Sequence, residues 1–281
     1  MNQREMLESV VRTALAEDIG SGDLTTHYFC DPKRKTTARI VSREACVLSG
    51  LDVARETFRQ VDSGLVLRGE KKDGAKLNPG EYALEIEGSA ASILTAERVA
   101  LNFMQRLSGI ATLTSAFVDT IHGTSARILD TRKTTPGLRF LEKAAVLAGG
   151  GVNHRMGLYD MVVMKDNHLT INHGVDFLRA AIAHLKAEHP DVRVELEADR
   201  LEQVKEFLEL QDVDRILLDN MSLADMSAAV KLNAGLVELE ASGGVNLTTI
   251  RGIAETGVDF ISVGALTHSA RAVDFSMEFS A

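Results

Sequence analysis

The chain has 281 residues, of which 45% are hydrophobic and 25% charged, the composition of a globular protein able to bury a substantial core in one or two domains. Its formal net charge of −9 argues against binding nucleic acid over a broad surface, which needs cations spread over phosphates, but leaves room for a local anion site. Two cysteines, Cys30 and Cys46, are too few for a disulfide framework or a four-thiolate metal site and read as thiols of a reducing compartment.

The first twenty residues lack the apolar run of a secretory signal, and Val10, Val11, Leu15 and Ile19 recur at helical spacing, which predicts an amphipathic helix. EDIGSGDLTT, residues 17–26, reads as a loop. Four strand-like runs follow, TTARIVS, ACVLSG, GLVLRGE and YALEIEG, punctuated by Gly, Asp, Asn and Pro, with one helical run, LDVARETFRQV, among them. This predicts a small α+β domain on an antiparallel sheet. A long helical pattern, SILTAERVALNFMQRLSGIATLTSAFVDTIHG, comes next, and Gly109 is expected to divide it. No stretch approaches the roughly 18 apolar residues of a membrane span, so the expectation is a cytoplasmic protein with no membrane partner.

From Ala126 onward strand-like runs alternate with helix-like runs. The strands are ARILDT, MVVMKDNH, VRVELEAD, RILLDN, LVELEAS and FISVG. Such alternation implies parallel strands joined by helical crossovers, and nearly continuous apolar strands imply a sheet buried on both faces. No G-x-G-x-x-G follows the first strand, which disfavours a doubly wound sheet and favours a barrel. The predicted organisation is a domain over residues 1–112 and an α/β barrel over 113–281, with the C-terminal tail returning to the first domain.

Active sites of α/β barrels lie at the C-terminal ends of the strands. Each predicted strand ends there in chemically loaded residues: Thr131, Arg132 and Lys133; Lys165, Asp166, Asn167 and His168; Glu197; Asp219 and Asn220; Ser242, Gly243 and Gly244; and Gly264. Between Arg132 and Lys165 the six cations Arg132, Lys133, Arg139, Lys143, Arg155 and Lys165 face only Glu142 and Asp160, a local excess of four in an acidic chain. Lys143 is the best candidate for solvated helix surface. Arg132, Lys133 and Lys165 sit at strand ends facing the expected mouth, and a cluster there points to a ligand with more than one anionic group.

Each motif carries alternatives. In DTRKTTPGLR, Arg132 offers a planar fork and Lys133 a point charge, although a charged loop would look the same. AGGGVNHRMGLYD presents His154 and Arg155 after three glycines, or is a plain helix cap. Lys165 is an anion clamp, a Schiff-base nucleophile or a snorkelling residue. Glu197 and Asp219 could meet a magnesium ion or a ribose diol, or one could pair with a nearby lysine. Glu195 shares a strand face with Glu197 and could support it. ASGGV and SVGAL follow the last two strands, where barrels commonly bind phosphate through freed backbone N–H groups.

Taken together, EDIGSGDLTT, ERVALNFMQRLSGIAT, LDTRKTTPGLR, KAAVLAGGGVNHRMGLYDMVVMKDNH, VELE, ILLDN, EASGGV and SVGALTHSA resemble the quinolinate phosphoribosyltransferase family nearly end to end. The resemblance implies an N-terminal open-faced sandwich and an incomplete, six- or seven-stranded TIM-like barrel. It implies NAD biosynthesis by decarboxylating phosphoribosyl transfer to quinolinate, with Mg2+, in a homodimer or higher even oligomer. Arg106 would come from the neighbouring subunit. Thr131, Arg132, Lys133, Arg139, His154, Arg155 and Lys165 would bind quinolinate and the donor's phosphates. Glu197 and Asp219 would meet the ribose and its magnesium, directly or through water. Ser242, Gly243, Gly244, Val263, Gly264 and Ala265 would cradle the 5′-phosphate, with His268 at the same mouth. Lys133 and Lys165 are both candidates for supplying the proton that replaces the lost carboxylate. A molybdenum-transport-associated relative and a Schiff-base aldolase using Lys165 are the alternatives.

Overall fold

The computed structural model describes residues 2–165 and 174–280, which divide into two compact units. The first holds residues up to 115 together with 134–150 and those from 266 on; the second holds 116–133 and 151–265.

The first unit opens with α1 (Gln3–Ile19) and α2 (Leu24–Phe29), followed by β1 (Lys35–Ser42), β2 (Cys46–Val47), α3 (Leu51–Val61), β3 (Val66–Arg68), β4 (Lys76–Leu77), β5 (Tyr82–Ser89) and α4 (Ala90–Thr120). It also includes α5 (Arg139–Ala148) and the final strand, β12 (Phe275–Phe279). The main sheet is antiparallel in the order β12-β1-β5-β3. Strand alternation sends Ala38, Ile40, Leu84 and Ile86 to one face. There they share a core with Leu51, Ala54 and Phe58 of α3 and with Ile93, Ala96, Ala100, Leu101 and Met104 of α4. Those helical positions recur every three or four residues, so each helix buries one stripe. Burying Phe58 alone contributes about 1.5–3 kcal/mol. The opposite face is charged: Arg39 lies across from Glu85 with 2.7 Å between them, and Arg68 pairs with Glu87. A sheet with one apolar and one charged face needs cover on one side only, which is the physical content of an open-faced sandwich.

Several expectations change here. Residues 17–26 are not one loop: α1 continues to Ile19, and Asp23 caps α2 by accepting the Thr26 amide at 2.9 Å. Asp-x-x-Thr was therefore a helix start. Gly109 does not divide the long helix, because α4 runs unbroken from residue 90 to 120. A Cβ at Gly109 would lie 2.0 Å from the Arg271 carbonyl oxygen, so this glycine admits a neighbouring backbone. Residues 275–279, given no structure by their pattern, form β12 and pair with β1. Lys143 is fully buried, not solvated, because α5 turns Glu142 and Lys143 to its packed face.

The second unit contains β6 (Arg127–Leu129), β7 (Met161–Met164), α6 (Gly174–Glu188), β8 (Arg193–Ala198), α7 (Leu201–Leu208), β9 (Arg215–Asp219), α8 (Leu223–Asn233), β10 (Glu238–Ser242), α9 (Ile250–Glu255) and β11 (Phe260–Ser262). A last short helix, α10 (Ala265–His268), follows β11. All six strands are parallel, in the order β6-β11-β10-β9-β8-β7. Neighbours follow the sequence and then return to β6, as in a barrel. Among the described residues β6 and β7 remain the two edges, and β6 gains only an isolated bridge from Leu129 to Val152. The result is an incomplete TIM-like α/β barrel.

The strands are buried on both faces for two different reasons. Val194, Leu196, Ile216, Leu218, Leu239, Ala241 and Ile261 form one apolar set. The alternate residues are mostly polar: Glu195 aligns with Arg215 and Arg215 with Glu238, Asp219 aligns with Ser242, and Glu240 aligns with the apolar Leu217 and Phe260. Apolar side chains seal against the crossover helices, so the polar set falls on the concave side.

Candidate active site

Backbone bonding at the end of β6 builds the first part of the site. Val152 N–H donates to Ile128 O at 2.8 Å, and Asp130 N–H donates to Val152 O at 3.2 Å. The buried Asp130 carboxylate then accepts the His154 amide at 2.8 Å. The segment after the three glycines is thereby tied beside β6, and Arg155 donates to the Met161 carbonyl at 3.0 Å. Thr131 Oγ1 accepts the Lys133 amide at 3.0 Å and turns the loop that carries Arg132 and Lys133. Burial, then the charge of Arg132, pulls the Arg155 pKa down. A bound anion would offset that like charge.

At the next strands, Lys165 Nζ donates to Glu197 Oε2 at 3.1 Å. Lys165 is half exposed, whereas Glu197 is buried, so the pair presents an ammonium outward on a carboxylate base. Asp219 accepts Asn220 Nδ2 at 2.7 Å, and Asn220 N–H donates to Ser242 O at 2.9 Å, which joins the ends of β9 and β10. Gly243 has φ +99°, and a Cβ there would lie 2.1 Å from Asn220 Oδ1. Only glycine fits that turn, and Gly244, at φ +60°, continues it. Val263 N–H donates to Leu129 O at 2.9 Å, placing Val263, Gly264 and Ala265 directly beyond β11.

In the second unit Thr131, Arg132, Lys133, Lys165, Glu197, Asp219, Ser242, Gly243, Gly244, Val263, Gly264 and Ala265 lie at or just past the C-terminal ends of the parallel strands, and His154 and Arg155 lie on the segment bridged to the end of β6. Arg106, Arg139 and His268 belong to the first unit. Arg106 bonds Glu142 at 3.0 Å and the carbonyls of Thr267 and Ala270; Arg139 donates to Thr134 Oγ1 at 3.0 Å; His268 Nδ1 lies 2.6 Å from Ser269 Oγ. Asp166, Asn167 and His168 lie outside the described residues.

Sequence reasoning named Glu195 only as a support for Glu197 and missed Arg215, Glu238 and Glu240, the rest of a charged layer within the barrel. Glu240, fully buried, accepts Arg215 Nη1 at 2.7 Å and the Ser262 hydroxyl. Arg215 also bonds Glu238 at 2.9 Å and lies 4.2 Å over the Phe260 ring. His154 Nε2 faces Glu195 at 3.3 Å and Glu240 at 3.5 Å. Burial opposes charge on the His154 ring, but the Glu195 contact and the charges of Glu240 and Glu195 outweigh it and raise its pKa. Burial, then the neighbouring Glu195 charge, raises the Glu240 pKa against the opposing pull of His154 and Arg215. The available signal was alternation: Glu195 and Glu197 in β8, and Glu238 and Glu240 in β10, recur at every second position.

A cavity of about 510 Å3 opens at the other, N-terminal, ends of β8 to β10. Its Arg193 pairs with Glu238, Asp214 accepts the Val194 amide, and Asp259 accepts the Leu239 amide. These groups satisfy one another and pin strand starts, which is the stabilising end of a barrel.

The family models agree with this geometry. Residues 23–108 match the N-terminal domain of quinolinate phosphoribosyl transferase, and residues 110–278 match its C-terminal domain. The chain is 43% identical to a nicotinate-nucleotide pyrophosphorylase (carboxylating) of Mycobacterium leprae, over 95% of each protein. It is 42% identical to quinolinate phosphoribosyltransferase (decarboxylating) 1b of Nicotiana tabacum, over 97% of this chain and 82% of that protein. The solved nicotinate-nucleotide pyrophosphorylase of Francisella tularensis superposes with a TM-score of 0.92 at 38% identity, covering 100% of this chain and 98% of the other. With both domain models and full-length relatives in agreement, the chain belongs to the quinolinate phosphoribosyltransferase family.

Proposed function

We propose that this chain is a pentosyltransferase of NAD biosynthesis that transfers the phosphoribosyl group of phosphoribosyl pyrophosphate to quinolinate and removes the adjacent carboxylate. The products are nicotinate mononucleotide, pyrophosphate and carbon dioxide. The observation that carries the reading is the set of groups at the C-terminal ends of the parallel strands: Arg132 and Lys133 after β6, Lys165 on Glu197 after β7 and β8, Asp219 at the end of β9 and the glycine turn after β10. Quinolinate carries two carboxylates and the donor several phosphate charges, so each cation has a counterpart.

The pyridine nitrogen attacks C1′ of the ribose, and the C1′–O bond breaks with its electron pair leaving on pyrophosphate. Positive charge that builds on the ribose is met by Glu197 and Asp219 at the strand ends. The ring nitrogen is then quaternary and draws in the electron pair released when the neighbouring C–CO2 bond breaks. A proton restores the ring carbon, and the ammonium groups of Lys133 and Lys165 are the candidate donors. Arg132 and Arg155 hold the acidic ring while this happens. The turn at Gly243 and Gly244 offers backbone N–H groups for the 5′-phosphate, with residues 263–265 lining the same strand ends.

Two oxygen ligands at one mouth suit Mg2+, which takes one or two carboxylates and completes its shell with substrate oxygens and water. Glu197 and Asp219 would hold it, directly or through water, and the ion would offset the donor's phosphate charge. The family resemblance adds a homodimer or higher even oligomer in which Arg106 serves the neighbouring site. In this chain Glu142 and two carbonyls orient that guanidinium.

The deciding experiment mixes the purified chain with quinolinate, phosphoribosyl pyrophosphate and Mg2+ and follows pyrophosphate and carbon dioxide. Equimolar release that requires all three components is expected, with activity lost to a chelator and restored by added Mg2+. Absence of both products at saturating substrates would end this reading.

A further inference from the structure

Among the described residues three that are not glycine have a positive φ: Asp212, Asn220 and Ala234. Asp212 and Ala234 lie in the turns that lead into β9 and β10, at the other end of those strands from the candidate site. Asn220, at φ +53°, directly follows β9 at the end where the proposed ligand groups gather. A left-handed backbone is unfavourable for a residue with a side chain, and asparagine tolerates it better than most. Such a conformation held at a strand end is a pointer to function.

The turn sets the Asn220 carboxamide between two groups. Its Nδ2 donates to Asp219 Oδ2 at 2.7 Å. The carboxamide also lies against Gly243, where a Cβ would come within 2.1 Å of Oδ1, 2.4 Å of Cγ and 2.9 Å of Nδ2. The main chain adds a third tie, since Asn220 N–H donates to Ser242 O at 2.9 Å. One residue after β9 thus touches both the carboxylate read as facing the ribose and the glycine turn read as facing the 5′-phosphate. Few residue types meet these demands. Glycine would adopt the turn but bring no side chain. Aspartate would adopt it, yet set a second carboxylate against Asp219. Asparagine supplies both the turn and a donor, and groups behind a binding residue commonly fix its direction in this way.

We propose that Asn220 is a positioning residue for the phosphoribosyl donor: its carboxamide fixes the Asp219 carboxylate relative to the Gly243 turn, and so sets the spacing between the groups that receive the ribose and its 5′-phosphate. Asn220 acts through those groups and does not touch the reacting atoms. The scheme rests on the substrate assignment above.

Asn220→Gly and Asn220→Ala separate side chain from backbone. Both remove the carboxamide, but only alanine is strained at this φ, so it alone should lower the unfolding midpoint appreciably. Both should raise KM for the phosphoribosyl donor about tenfold and leave KM for quinolinate within about twofold. Calorimetry should show the same contrast without turnover. Ribose 5-phosphate, which spans both groups, should bind Asn220→Gly about tenfold more weakly than wild type, whereas inorganic phosphate, which needs only the turn, should bind within about twofold. Unchanged donor KM and ribose 5-phosphate affinity in Asn220→Gly overturn the proposal. An equal rise in both KM values, or a loss confined to the alanine variant, marks structural damage and also overturns it. If neither variant folds, the wild-type protein decides. Its Asn220 side-chain amide, labelled with 15N and assigned through its own backbone, should exchange slowly and shift with ribose 5-phosphate but not with quinolinate; a freely exchanging amide that ignores both ligands overturns the proposal. Failure of the substrate assignment would show instead as a wild type that neither binds nor turns over the donor, with the Asn220 amide still protected.

Discussion

Replacing Gly109 with alanine sets two effects against each other. In an exposed helix interior, Gly→Ala gains about 1 kcal/mol from reduced backbone entropy in the unfolded chain. Here the new Cβ would sit 2.0 Å from the Arg271 carbonyl oxygen, 3.0 Å from its carbon and 3.3 Å from Ala272 Cα. Contacts below 3.0 Å are not tolerated, so the two backbones must separate by roughly an ångström. Neither side yields easily. Arg271 pairs with Glu44, Val273 N–H donates to Gln105 O at 3.0 Å, and Arg106 holds the Ala270 carbonyl at 2.9 Å. Overpacking of this kind costs about 1–3 kcal/mol, with more where backbone must move. The balance is a net loss on the order of 2 kcal/mol, together with weaker hydrogen-exchange protection of β12, whose approach to β1 follows this contact. Denaturant unfolding of wild type and Gly109→Ala, with amide exchange in residues 275–279, measures both. Equal or greater stability of the alanine variant would refute the close-approach account.

Two further outcomes are expected. Gly243→Ala places a side chain at φ +99° and into Asn220, at a strain of about 1–3 kcal/mol. Because the damage falls on the proposed phosphate turn, steady-state kinetics should show KM for the phosphoribosyl donor rising about tenfold with KM for quinolinate little changed; the reverse pattern would count against that turn. Glu44 is held below the ordinary glutamate range by the Arg271 hydrogen bond and then by the Asp274 amide. A depressed carboxylate contributes stability above its unfolded pKa and loses it as pH falls through the folded value. Glu44→Gln should therefore cost about 1 kcal/mol or less at neutral pH and nothing at the acid end. A pH-independent difference in unfolding midpoint would reject the ion-pair explanation.

The sequence by itself determined the elements whose signal is local. The 51–54–58 spacing of α3, the alternation of β1 and β5, and six strand–helix units needed only side-chain periodicity, because each element must hide one face from water. The same pattern pointed to a candidate site, since Arg132, Lys165, Glu197, Asp219 and Gly243 interrupt apolar runs at strand ends. Tertiary structure alone decided what depends on distant partners. Gly109 reads as a breaker until Arg271, far along the chain, lies against it. Residues 275–279 become a strand only because β1 offers an open edge. Lys143 reads as solvated until helix packing buries it. The Glu195–Arg215–Glu240 layer required a curved sheet to bring carboxylates of β8 and β10 onto one imidazole and onto Arg215 of the intervening β9. Charge and glycine signal chemistry in one dimension, but which charge faces which group is fixed only when register and curvature set the distances over which Coulomb attraction and desolvation compete.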